Sequence, residues 1–68
     1  MSDVLKVIEI LAESDQSWED AAQKAVDRAS RKLKGVRSVY IKNFDAKVVD
    51  GKISSFRVNA KVSFLLEE

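Results

Sequence analysis

The chain has 68 residues, of which 46% are hydrophobic and 34% charged, with a formal net charge of +1 and neither cysteine nor histidine. Those values exclude a disulfide staple and a zinc site of the histidine–cysteine kind, and they give no global field toward nucleic acid or membrane. A domain this small buries only about 60% of its unfolded surface, so self-association is the remaining way to enlarge the core.

No apolar run approaches the roughly 18 residues of a membrane span. The N-terminus lacks the basic start and apolar block of a signal peptide. The expectation is one domain over residues 1–68, in the cytoplasm. "DVLKVIEILAE", Asp3 to Glu13, is rich in β-branched residues and reads as a strand. Leu5, Val7 and Leu11 point to one side of it, Val4, Ile8 and Ile10 to the other. "SDQ" ends the pattern. "SWEDAAQKAVDRASRKLKG" then reads as a helix capped by Ser17, with Asp20 as a capping-box acid and Gly35 as the C′ residue. Trp18, Ala21, Ala22, Ala25, Val26, Ala29 and Leu33 form one apolar stripe. Being mostly alanine, the stripe predicts close approach to a sheet. Glu19 and Asp20 in the first turn and Arg31, Lys32 and Lys34 near the end suit the helix dipole.

Two strands follow, joined at Asp50-Gly51, a dipeptide that predicts a type I′ hairpin turn. Counting back from that turn pairs Val49 with Lys52, Ile41 with Ala60 and Val39 with Val62. Phe56, Val58, Ala60, Val62, Phe64 and Leu66 then share one face with Val39 and Ile41. Tyr40, Phe44, Ile53, Arg57 and Lys61 fall on the other. The fold class is therefore α+β in the order β-α-β-β, a three-stranded antiparallel sheet packed on one amphipathic helix. A single helix covers one sheet face. The other face carries apolar residues too, and other copies of the chain are expected to cover it.

The element order, "SWEDAAQKAVDRASRKLKGVRSVYI", the opening "KVIEI" and the closing "FRVNAKVSFLLEE" resemble the dodecin family. The likeness runs from Leu5 to Glu67 without a gap. It includes S-[WF]-x-x-A-x-x-x-A-[IV]-x-R-A at Ser17 to Ala29 and V-x-F-x-L-E at Val62 to Glu67. The resemblance implies a hollow homododecamer that binds flavin, such as riboflavin or FMN, between subunits for storage rather than catalysis. It also implies two flavin contacts that this chain lacks. Ser38 stands where the family's stacking tryptophan would be, and Tyr40 where a glutamate would follow it. Arg57 replaces a glutamine on the last strand, and Ala12 a glycine before the helix-entry loop. A calcium-binding member is also known in the family, so a cation-binding or purely structural shell is the alternative.

Ser38, Tyr40 and Arg57 are the candidate ligand residues, set by motif position. Arg57 could take a phosphate or carboxylate in its donor fork, or could make an ion pair between subunits while Tyr40 fills space. Trp18 is read as core rather than ligand contact. Tyr40 and Phe44 could replace the lost stacking residue. Arg28, Arg31, Lys32, Lys34, Arg37 and Lys42 form a basic run, read as a solvated helix end rather than a nucleic-acid surface. Glu13, Asp15, Glu19, Asp45 and Asp50 match no calcium loop, so metal ligands stay unassigned. Without histidine or cysteine, the usual general base and thiolate are missing, and the chain is read as a non-enzyme.

Overall fold

The computed structural model describes residues 3–66. Glu67, the last residue of the sequence likeness, lies outside them. The elements are β1 (Leu5–Ser14), α1 (Trp18–Lys32), β2 (Val36–Val49) and β3 (Lys52–Leu65). They form an antiparallel sheet of order β1-β3-β2. The expected α+β architecture is the one observed. Among the described residues no helix is long and apolar enough to cross a membrane.

The helix starts where Ser17 Oγ accepts a hydrogen bond from the Asp20 backbone N–H at 2.9 Å. This satisfies one of the amide groups that a helix start leaves unpaired. The Asp20 carboxylate does not complete a capping box. It accepts from Ser14 Oγ at 2.5 Å and from Lys24 Nζ at 2.8 Å, which ties the helix start back to the buried end of β1. The apolar stripe lies on the sheet as its spacing predicts. Ala21 and Ala25 are buried in one cluster with Val58 and Ala60 of the central strand, and Ala29 and Val62 are buried as well. Alanine leaves so little side chain that these backbones come close.

Gly35 is not the C′ residue. The helix ends at Leu33, extended at φ −116°, whose N–H bonds to Ala29 O. Gly35 comes two residues later, with φ +72° and its carbonyl accepting from Leu65 N–H at 3.0 Å. A Cβ there would stand 3.1 Å from Leu65 Cβ. The turn matches expectation: Asp50 and Gly51 have φ of 52° and 77°, the two positive values of a type I′ turn.

The hairpin register carries the main correction. Val49–Lys52, Ile41–Ala60 and Val39–Val62 pair as counted, but the ladder between them is displaced by one. Ser54 is an extra residue on β3 and Lys42 an extra residue on β2, and the two bulges cancel. In the displaced stretch Phe44 pairs with Val58, not with Arg57. Phe44 therefore lies on the helix side, its ring 5.2 Å from that of Trp18. Ile53 pairs with Val48 and shares that side as well, beyond the reach of α1. Trp18 packs edge-on against Phe44 and Phe56 and donates its Nε1–H to Asp45 O at 2.9 Å, a structural role as expected.

Both glycines sit at positive φ, but only Gly35 faces a crowded neighbour. Gly51→Ala should cost about 1–2 kcal/mol from left-handed backbone strain alone. Gly35→Ala should cost more, because Leu65 must also move. Urea denaturation of the two variants checks the ranking; equal losses would contradict it.

Candidate functional site

The site is the sheet face turned away from α1. Because β3 is central, each of its outward residues has a partner on both sides, and the face resolves into rungs. Glu13, Arg57 and Asp45 form one rung; Leu11, Asn59 and Asn43 the next. Glu9, Lys61 and Tyr40 form the third, and Val7, Ser63 and Ser38 the fourth. The candidates Ser38, Tyr40 and Arg57 thus share a face, as the sequence implied. They do not form one pocket within the protomer. Ser38 and Tyr40 are on adjacent rungs, whereas Arg57 is six residues from Ser63 along β3, about 20 Å away.

Phe44 is not on this face, so it cannot stand in for a stacking residue there. Tyr40 is the one aromatic side chain on the four rungs, and it is 63% exposed. The Ser38 hydroxyl is held by the Ser63 hydroxyl at 2.5 Å. It presents no flat apolar surface to a ligand.

Arg57 is committed inside the chain. Its Nε and Nη2 donate to Asp45 Oδ1 and Oδ2 at 3.0 and 2.9 Å, a two-point fork. The Glu13 carboxylate lies 3.9 Å from Nε. The hydrogen bonds from Arg57 hold the Asp45 carboxyl below the usual carboxylate range, against a smaller opposing effect of burial. With its fork occupied and a second carboxylate beside it, Arg57 is poorly placed to receive a phosphate or carboxylate. Within one protomer the ion pair of Arg57 is with Asp45. The sequence did not pick out Asp45 or Asn43 as partners. The uninterrupted count sets Phe44 opposite Arg57 and Lys42 opposite Asn59, and only the two bulges bring in the acid and the amide.

A groove of about 510 Å³ runs over the first two rungs, with Leu11 and Val58 as its apolar lining and Asn59 between Asn43 and Arg57. The Asn59 Oδ1 atom is buried and has no hydrogen-bond partner among the described residues. Among those residues no group of three or more acidic, histidine or cysteine side chains gathers to hold a metal ion. The basic run is divided by the fold. Arg37 and Lys42, both unpaired in the ladder, reach Asp3 and Glu9 at 3.8 Å each. The remaining members belong to the helix and its end.

Flavin contacts at the family's two positions need a stacking ring and an amide. Here those positions hold a serine bonded to a serine and an arginine bonded to an aspartate. Those two positions therefore offer a flavin neither a ring to stack on nor an amide.

Comparison with known proteins agrees with the sequence likeness. The Dodecin family model matches residues 4–67. Calcium dodecin of Mycobacterium tuberculosis is 36% identical over 61 residues, covering 90% of this chain and 86% of the relative. A crystal structure of calcium dodecin from that organism, described as calcium chelating with a novel calcium-binding site, aligns with TM-score 0.80 at 38% identity. It covers 94% of this chain and 91% of that one. Dodecin from Streptomyces coelicolor aligns with TM-score 0.91 at 27% identity, over 97% and 94% of the two chains.

The lowered Asp45 pKa has a signed consequence. Its stabilising effect is present above the unfolded carboxylate value of about 3.9, and is lost as pH falls through the lower folded value. Stability measured from pH 7 to 2 should show the parent and Asp45→Asn differing at neutral pH and converging below about pH 4. A gap that stays constant to pH 2 would remove the Arg57 fork from the account.

Proposed function

The chain belongs to the dodecin family, and we propose that it is a non-catalytic, self-assembling binding protein of one domain. It forms a homododecamer that holds a small ligand between subunits and has low affinity for flavin. The observation that carries assembly is the bare face of β1. Leu5, Val7 and Leu11 are 45%, 53% and 77% exposed in the protomer, on a strand whose other face is already used. Burial of apolar surface is worth about 25 cal/mol per Å², and a second copy supplies it.

Low flavin affinity is supported by Ser38 and Arg57. Ser38, Tyr40 and Arg57 are assigned to a contact between subunits, because residues about 20 Å apart on one open sheet face share a site only when neighbouring copies bring them together. Serine there removes the stack, and Arg57 with Asp45 replaces a neutral amide by a bound ion pair.

A cation-binding shell is the second reading. It is supported by the calcium dodecin relative and by the acidic side chains Glu9 and Glu13 along β1. Since no metal-sized acidic group forms among the described residues of one protomer, such a site would draw its ligands from two copies.

Riboflavin fluorescence quenching tests the leading reading. The parent should quench weakly. Ser38→Trp should bind about five- to hundred-fold more tightly, the equivalent of about 1–3 kcal/mol for one restored stack. Ser38→Trp with Arg57→Gln should bind more tightly still. Tight stoichiometric quenching by the parent would show that Tyr40 or the groove supplies a replacement pocket.

A further inference from the structure

We propose that the hairpin tip of one copy, with Val48 and Ile53 as an apolar knob, docks into the groove beside Trp18 on a second copy of this chain. The groove has a volume of about 350 Å³ and is lined by Trp18, Ala22, Ile41, Phe44 and Val58, with Glu19 as its one charged member. It opens on the helix side of the sheet. That side continues bare along the hairpin, where Ala46 pairs with Phe56 and Val48 with Ile53, past the start of α1. Phe44, Val48 and Ile53 are each more than half exposed. A two-stranded hairpin without cover is marginal in water, and an apolar strip left open in this way marks a contact surface.

The chain carries both halves of this contact and cannot join them itself. From Phe44 to Val49 the strand runs about 17 Å, which holds each tip away from its own groove. Charge selects tip-to-groove pairing over the other ways of matching two copies. Lys47 and Lys52 adjoin Val48 and Ile53 in the chain, with Asp50 at the turn between them. Among the described residues none of these three charges, nor Glu19, belongs to an ion pair. Tip against tip would set lysines beside lysines, and groove against groove would set Glu19 beside Glu19. Tip in groove sets lysine beside glutamate. One knob and one groove per copy make a head-to-tail contact, the kind that builds rings. The inference rests on the self-assembly proposed above and adds a contact on the helix side, separate from the bare face of β1.

Disulfide trapping tests it, because the chain has no cysteine of its own and a disulfide forms only where two Cα atoms come within about 7 Å. Ala22→Cys places a thiol in the groove; Ile53→Cys, and in a second pairing Val48→Cys, places one on the tip. Each tip variant is mixed with Ala22→Cys in urea, refolded, oxidised and run on a non-reducing gel, with light scattering on the same sample before oxidation. The groove-to-tip heterodimer should be the main covalent product for at least one pairing. A multimer that gives no covalent product, or gives chiefly tip-to-tip or groove-to-groove homodimers, overturns the docking and leaves self-assembly standing. A monomeric mass overturns both. Ile53→Asp gives an independent reading through Trp18, the only tryptophan. It should lower the scattering mass and shift the Trp18 emission to the red, with the helical circular dichroism retained. Mass and emission equal to the parent's would also overturn the docking.

Discussion

One helix has two sheet faces to serve, and it can serve only one. The fifteen residues of α1 span about 22 Å, while the fourteen-residue strands of the hairpin reach about 46 Å, within a protomer 52 Å long. The core is correspondingly thin: Ala21 and Ala25 of the helix with Val58 and Ala60 of β3, flanked by Ile10, Ala12, Val39 and Ile41 and closed at one end by Trp18 between Phe44 and Phe56. The far side of the sheet and the hairpin tip with Val48, Val49 and Ile53 stay outside it. Association with further copies follows from this shortfall of cover.

The face left open is not simply apolar. Its rungs pass from a charged row, Glu13, Arg57 and Asp45, through an amide row to the hydroxyl pair Ser38 and Ser63. At each end the polar groups satisfy one another. Exposed ion pairs add little to stability, so the fork at Arg57 matters chiefly for what it occupies. It turns a donor that could receive a ligand into one that holds Asp45. The chain thereby keeps the family's frame while Ser38 and Arg57 are spent on internal bonds.

Much of this was legible in the sequence, because local chemistry decides it. Ser17 caps the helix, the alanine stripe faces the sheet, and Asp50-Gly51 sets the turn. The ends of the hairpin register follow from that turn. What stayed hidden came from non-local geometry. Two bulges that cancel leave the pairs on either side unchanged and displace only the middle. Counting from the turn therefore succeeds at Val39 and Ile41 and fails at Phe44, Asp45 and Asn43. No residue type marks Ser54 or Lys42 as the extra ones. Gly35 misled for another reason: a glycine after a helix fits a C′ position, but here its missing side chain makes room for Leu65. The open face was legible as a face, and its pairing was not.

The central claim is that the protomer is incomplete alone. Light scattering on the size-exclusion peak measures this most directly. The account predicts a mass near twelve times the 7.6 kDa of the chain at micromolar concentration. A stable, folded species of 7.6 kDa under the same conditions would mean that the bare face of β1 needs no partner, and would contradict it.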